Sequence, residues 1–315
     1  MTGTERDERR DPWSEQSPWS ACGVAQQEFP PGLYVVATPL GNAADVTLRA
    51  LWVLHLADCI AAEDTRTTAP LLARYAIATP LLALHRHNEA RAAARILARL
   101  AQGQRVALVS DAGTPAISDP GALLVRAALA AGVRVLPVPG PSSLTAALSV
   151  AGVLAGPIRF LGFAPARAAA RHRLWSALAA EPTAAVLFEA PHRIAATAGE
   201  LAGALDPARR VVLLRELTKR YESVVSTTAG KLPALLEQAP SRGEYVLIID
   251  AAQAATFSEA PPRSDRVSID AVTARWLAAL REELPASRAA ALAAKATGLP
   301  RAILYRALGG VPEKD

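Results

Sequence analysis

Residues 105–143 read RVALVSDAGTPAISDPGALLVRAALAAGVRVLPVPGPSS. An apolar run from Arg105 to Val109 enters a loop of Ser, Asp, Gly, Thr and Pro. A helical pattern follows near 121–131, then a second β-like run from Val133 to Val138 and another Pro-Gly turn. Strand, helix and strand joined by short loops make a βαβ unit, whose strands lie parallel because the helix carries the chain back across the sheet. The alternation extends backwards through runs at Leu33 to Ala37, Cys59 to Ala62 and Pro80 to Leu84, with helices near 47–56, 66–75 and 89–101, and forwards into a helix near 142–151. The prediction is an α/β fold whose N-terminal sheet is mostly parallel with helices on both faces. Ligands of such sheets sit in the loops beyond the strand C-termini.

After Gly162-Phe163-Ala164-Pro165 the pattern changes. A helix near 167–180 precedes a strand at Ala184 to Phe188, a helix from Pro191, and strands at Arg210 to Arg215, Glu222 to Ser226 and Glu244 to Ile249. The second and third of these strands are joined so closely around Thr218 to Tyr221 that they must pair antiparallel, so this half is α+β. A polar, Pro-bearing linker at 251–266 leads to Ser268 to Leu308, which reads as three short helices with six basic and three acidic residues. The organisation expected is a disordered tail at 1–31, α/β domains at 32–156 and 157–250, the linker, and a small helical extension at 267–315.

The 315 residues are about twice an average ~150-residue domain, which agrees with two domains. An apolar content of 51% excludes global disorder. The longest uncharged stretch, Val135 to Ile158, carries Pro137, Pro139, Pro141 and Pro157, so it is loop chemistry and not a membrane span. The N-terminus is charged and has no apolar signal core, which reads as a cytoplasmic protein. Cys22 and Cys59 form neither a disulfide framework nor a zinc spacing. The net charge of +5 rests on 30 Arg and four Lys, and an arginine-rich composition alone is weak evidence for nucleic acid. Its distribution says more. The tail holds six acids against three bases, and between Asp119 and Glu181 there is no acidic residue while Arg126, Arg134, Arg159, Arg167, Arg171 and Arg173 all fall there. That block is either a set of solvated helix faces or a phosphate-facing surface.

Three strand-end loops carry ligand-binding chemistry: Thr38-Pro39-Leu40-Gly41-Asn42, Ser110 to Gly121, and Pro139-Gly140-Pro141-Ser142-Ser143. Small residues there let backbone groups approach a ligand while the next helix offers its N-terminus. No Gly-x-Gly-x-x-Gly follows the first strand, Gly230-Lys231 lacks a P-loop, and neither Ser142 nor Ser143 sits in a Gly-x-Ser-x-Gly, so dehydrogenase, NTPase and serine-hydrolase readings lose their support. His85 and His87 have no third ligand, and no metal is expected. Ionisable clusters close other strands: Glu63-Asp64-Thr65-Arg66, His85 to Glu89, Glu189 to Arg193 and Arg215 to Lys219. Asp64, Asn88 and Thr218 are good helix-capping types, and the clusters are also the pool for a general base or a phosphate ligand.

Several of these stretches together resemble one family. Leu33 to Asn42, Ala62-Glu-Asp-Thr-Arg66, Ser110-Asp-Ala-Gly-Thr-Pro115 with Ser118-Asp-Pro-Gly121, Glu189-Ala-Pro-His-Arg193 and Arg215-Glu-Leu-Thr-Lys219 are similar to the ribosomal RNA small-subunit methyltransferase I family, a branch of the tetrapyrrole (corrin/porphyrin) methylase superfamily. The resemblance spans Leu33 to Asp250 and continues weakly into the C-terminal helices. It implies a two-domain tetrapyrrole-methylase-like fold, usually a homodimer, that binds S-adenosylmethionine between the domains and methylates the ribose 2′-oxygen of a cytidine in the decoding region of 16S rRNA. The implied partner is small-subunit rRNA or the 30S subunit, with no membrane and no metal. Carried over by motif, the cofactor positions are Pro39, Gly41, Ser110, Asp111, Ala112, Ile117, Ser142, Ser143, Glu189 and Leu217. The first loop departs from the Gly-x-Gly-Pro-Gly-Asp of corrin and porphyrin methylases, which argues against a tetrapyrrole substrate.

A sulfonium methyl is already activated, so such an enzyme mainly aligns the nucleophile and manages the hydroxyl proton. Asp64 or Glu189 is expected as the base, with Arg193 or Lys219 holding flanking phosphates. Arg66, Arg167, Arg171, Arg173, Arg301 and Arg306 are the expected RNA contacts. The last two belong to a segment, Ser287 to Leu308, that resembles a helix-turn-helix, with dimer contact as its alternative role. Two rival readings remain open at this level: a small-molecule methylase on the same fold, and a non-catalytic rRNA-binding assembly factor.

Overall fold

The computed structural model of the chain describes residues 23, 28–153, 156–237, 242–252 and 271–308. Most of the expected tail and nearly all of the expected linker lie outside the described residues. The chain divides into two units, residues 1–254 and 255–315.

In the first unit five strands, β1 (Gly32–Val36), β2 (Cys59–Ala62), β3 (Leu81–Ala83), β4 (Arg105–Val109) and β5 (Val135–Val138), form one sheet in the order β3-β2-β4-β1-β5, parallel throughout. Between and after them run α1 (Leu48–Leu56), α2 (Thr65–Arg74), α3 (Glu89–Ala101), α4 (Ala122–Ala130) and α5 (Ser143–Ala151). Successive strand residues point to opposite faces, and the core divides accordingly. Tyr34, Val36, Ile60, Ala62, Ala107 and Val109 pack against α1 on one face. Leu33, Cys59, Ala61, Val106 and Leu108 pack against Ala93, Ile96 and Leu100 of α3 and Leu124 and Ala128 of α4 on the other. Every crossover therefore buries an apolar helix face, and the short Ala side chains let the helices sit close to the sheet.

The next strands, β6 (Ile158–Phe163), β7 (Ala184–Glu189), β8 (Arg210–Arg215), β9 (Ser223–Thr228) and β10 (Tyr245–Ile249), form a mixed sheet in the order β6-β7-β10-β8-β9, in which only β6 and β7 are parallel. Its helices are α6 (Ala168–Ala179), α7 (Ile194–Ala204) and the short α8 (Leu232–Glu237). One face packs Leu187, Leu213, Leu247 and Ile249 on Trp175 and Leu178 of α6 and Ala198 and Leu201 of α7. The other face packs Val186, Val212, Leu214, Val246 and Ile248 on Ala147 and Ala151 of α5. Helix α5 follows the last strand of the first sheet yet covers the second, and so fixes the two sheets against each other. Truncating Leu214, which is fully buried here, to Ala would cost about 2–5 kcal/mol.

Two elements differ from the sequence expectation. Strand β6 covers 158–163 where a boundary was read, and α8 was not predicted. β6 is an edge strand with exposed ends, interrupted by a register shift between Phe160 and Phe163 with Gly162 at φ 65°, so it lacks a clean period of two. Helix α8 has only six residues, too few to display a helical period.

In the second unit the described helices are α9 (Ala271–Glu283), α10 (Ala286–Thr297) and α11 (Arg301–Ala307). Leu277, Ala290, Ala293 and Leu304 form their own small core. Gly298, left-handed at φ 73°, ends α10 and turns the chain into α11.

Candidate functional site

Three loops at the C-terminal ends of β1, β4 and β5 are hydrogen-bonded into one floor. Thr38 and Gly113 exchange both backbone bonds at 2.9 Å, and the Thr38 hydroxyl donates to the Ser110 carbonyl at 3.1 Å. The Thr114 hydroxyl donates to the Pro141 carbonyl at 3.0 Å. The opposite wall comes from the ends of β6, β7 and β10 and the turn after β8. Lys219 from that turn lies over Gly41, where a Cβ would fall 2.4 Å from Lys219 Cγ, so a side chain at 41 would have to displace the lysine stem. Its Nζ bridges Glu216 at 3.0 Å and Glu244 at 3.1 Å.

Between floor and wall lies a cleft of 350 Å³. Leu40, Ala112, Thr114, Ile117, Ser142 and Ser143 line it from the first half, and Phe163, Phe188, Glu189, Leu217 and Val246 from the second. Among the described residues five non-glycine positions have positive φ, and four of them, Ala116, Ser118, Glu216 and Thr218, fall in the two loops that face this cleft. Each such conformation costs of order 1–3 kcal/mol and persists where the surroundings enforce it, which is characteristic of functional loops.

The cleft is acidic on its first-half side. Burial pushes the Glu63 carboxyl above its ordinary range, although the Asp111 N–H opposes this. Burial, then the charge of Glu63, pushes Asp119 up to about 6 against the pull of Arg86. Asp111 is also raised, again chiefly by burial. Arg86 donates to the Ser118 carbonyl and so ties the β3 end to this loop.

Of the expected cofactor residues, Asp111, Ala112, Ile117, Ser142, Ser143, Glu189 and Leu217 line the cleft. Pro39, Gly41 and Ser110 line a neighbouring 230 Å³ pocket instead, and Asp111 lines both. Ser110 is buried, and its hydroxyl points back into its own loop, towards the Ala112 and Gly113 carbonyls. The expected bases are engaged elsewhere. Asp64 caps α2 through the Arg66 N–H at 2.8 Å, and hydrogen bonds from the Arg66 guanidinium hold its carboxyl down to about 2. The Glu189 side chain is wholly buried; it accepts from Thr197 Oγ1 at 2.7 Å and Ala190 N at 2.9 Å, and pairs with Arg193 Nε at 3.2 Å. Arg193 also donates to the Ala164 and Pro165 carbonyls, so it clamps the start of α7 to the β6 end.

Arg66, Arg167 and Arg173 are exposed. Arg171 is not comparable to them, because it forms a two-point pair with Glu200 at 2.7 and 3.0 Å, and Glu200 also accepts from the buried Trp175. Arg301 is exposed at the start of α11, and the Arg306 side chain lies outside what is described. Among the described residues no group of three His, Cys, Asp or Glu could hold a metal, and no helix is long and apolar enough to cross a membrane. Sequence reasoning placed Glu63 and Asp119 in strand-end clusters without assigning them to the site, and it missed Phe163 because it missed β6.

A parallel sheet and a mixed sheet around a strand-end cleft define a class, and residues 32–233 match the family of Tetrapyrrole (Corrin/Porphyrin) Methylases. Among solved structures, the methyltransferase CobJ has a TM-score of 0.54 and 21% identity over 70% of this chain and 94% of its own. Uroporphyrin-III C-methyltransferase from Thermus thermophilus, solved with S-adenyl homocysteine, has a TM-score of 0.50 and 19% identity over 70% of this chain and 97% of its own. At these identities the likeness is one of fold. Sequence narrows the class. Residues 267–309 match the RsmI C-terminal HTH domain, and the ribosomal RNA small subunit methyltransferase I of Xylella fastidiosa is 47% identical over 281 residues, 88% of this chain and 98% of that protein. The chain belongs to the ribosomal RNA small subunit methyltransferase I family.

Proposed function

We propose that the chain transfers a methyl group from S-adenosylmethionine to the ribose 2′-oxygen of a cytidine in the decoding region of small-subunit rRNA. The observation that carries this reading is the near end-to-end identity with a named rRNA small subunit methyltransferase, 47% over 88% of this chain. The cleft fits the donor. Its volume lies within the ~300–1,000 Å³ of small-molecule sites, Ala112, Ser142 and Ser143 leave the backbone accessible, and Leu40, Ile117 and Leu217 offer apolar surface for a flat base. S-adenosylmethionine supplies, when bound, a methyl activated on a sulfonium.

The chain's own task is to orient the acceptor, exclude water and accept one proton. Among the described residues the cleft-lining carboxylates outside an ion pair are Glu63, Asp111 and Asp119, since Glu189 pairs with Arg193 and Glu244 with Lys219, and Asp64 is held by Arg66. Residues 32–156 and 157–250 would act as the two cofactor-binding domains, with 267–315 gripping RNA, in a cytoplasmic homodimer. Labelled donor incubated with 30S particles, protein-free rRNA or a porphyrinogen tests the acceptor class. Label in rRNA supports the reading; label in the porphyrinogen alone replaces it with the small-molecule methylase, and no transfer with no donor binding replaces it with an assembly factor.

A further inference from the structure

We propose that the 230 Å³ pocket beside the cleft receives the acceptor ribose, and that Asp111, which lines both cavities, takes the proton of its 2′-hydroxyl. This rests on the rRNA methyltransferase reading above. The pocket lies between the first strand-end loop and the start of α2, and Pro39, Gly41, Thr67, Leu71 and Arg74 line it with Asp111. At this volume it falls below the ~300–1,000 Å³ of sites for drug-sized ligands and is of a size for one sugar. Thr67 and Arg74 are exposed at its rim, and Arg74 forms no ion pair among the described residues, so a phosphate flanking the ribose would meet a hydroxyl and a cation there.

Asp111 is the one residue common to the two linings. Among the described residues it accepts a single hydrogen bond, from the Asp64 N–H to Oδ1 at 3.2 Å, which leaves Oδ2 for an acceptor. Glu63 and Asp119 line the cleft and not the pocket, so neither touches both reactants' compartments. In the step, the ribose 2′-oxygen bonds to the methyl carbon as the carbon–sulfur bond breaks with its electron pair left on sulfur, and the hydroxyl proton passes to Asp111. The charged groups around Asp111 are Glu63 at the end of β2, Asp64, Arg66 and Arg74 on or capping α2, and Asp119 in its own loop. Burial raises its carboxyl and makes it a stronger base than an exposed aspartate.

Three full-length variants test this with 30S particles and labelled donor. Thr67→Trp fills the pocket from an exposed helical position, and Arg74→Glu reverses its cation; each should leave donor Kd unchanged and raise the KM for particles about tenfold or more. Asp111→Asn should bind donor and particles, lower kcat at least ~100-fold, and abolish the acid limb of the kcat–pH profile. Parental KM in both pocket variants, or Asp111→Asn losing donor binding or keeping kcat within a few-fold, overturns the assignment. Wild-type protein that methylates no rRNA overturns the underlying reading instead.

Discussion

Replacing Glu189 by Gln separates a structural carboxylate from a catalytic one. The side chain is fully buried and accepts from Thr197 Oγ1, Ala190 N and Arg193. Gln keeps one carbonyl oxygen, which can serve Ala190 N and Arg193 Nε as Oε1 does, but presents an amide N–H₂ to Thr197 Oγ1 and Arg193 Nη2 in place of Oε2. The Thr197 hydroxyl can rotate to accept from it, whereas Arg193, with a side chain only 25% exposed, keeps its Nε contact to the carbonyl but has its Nη2, 3.3 Å from the second oxygen, left facing a donor. Losing one hydrogen bond to a charged group, with recovery at Thr197, gives a cost of about 1.5–3 kcal/mol. In a unit of this size that lowers Tm by about 5–10 °C. Scanning calorimetry of the Glu189→Gln variant, alongside donor binding and methyl transfer at a temperature where it is folded, checks this. The variant should be less stable yet retain transfer within a few-fold. Parental Tm with transfer abolished would refute the structural role and restore Glu189 as the base.

Asp119→Asn should be more stable relative to wild type as pH rises. The folded carboxyl sits at about 6 against an ordinary 3.8, so below 3.8 both states hold the proton and the variant gains nothing; between 3.8 and about 6 the unfolded chain ionises first, wild type loses stability and the gap opens. A Tm difference flat across that window contradicts the buried-carboxylate account. Gly121→Ala should cost about 1–3 kcal/mol in urea titration, because φ is 121° and its Cβ would fall 2.8 Å from Leu108 Cδ2. Arg167 and Arg173 both changed to Ala should leave Tm unchanged and make the salt dependence of rRNA binding shallower by up to ~1.4 in log–log slope, whereas Arg171→Ala should lower Tm because Glu200 loses its two-point partner. Deleting residues 267–315 should weaken rRNA binding and spare donor binding, since the described helices there have their own core; loss of both would contradict the division of labour.

The parallel sheet was legible because β1, β4 and β5 are short apolar runs that end in Gly, Pro or small polar residues, β2 is one that ends in the ionisable Glu63 to Arg66, and each is followed by a helix with an apolar stripe. The cleft floor was legible for the same reason: Thr38 to Asn42, Ser110 to Gly121 and Pro139 to Ser143 have to lie at adjacent strand ends. Which carboxylate faces the cleft was not legible. Glu63 and Asp64 are neighbours in sequence, yet one lines the cleft and the other caps a helix and pairs with Arg66, because the chain turns between them. Glu189 looked like a free strand-end acid until Thr197, eight residues on, closed over it. Likewise Arg171 stood in an acid-free block, and its partner Glu200 comes from a different helix 29 residues away. Local pattern fixes where loops gather, whereas charge pairing across the fold decides which of their residues remain available.

The proposed reaction moves a methyl group to a ribose oxygen. The most direct test is to label 30S particles with the protein and methyl-labelled S-adenosylmethionine, digest the rRNA to nucleosides and resolve them by mass spectrometry. The label should travel with 2′-O-methylcytidine. Label on a base carbon or nitrogen would contradict it.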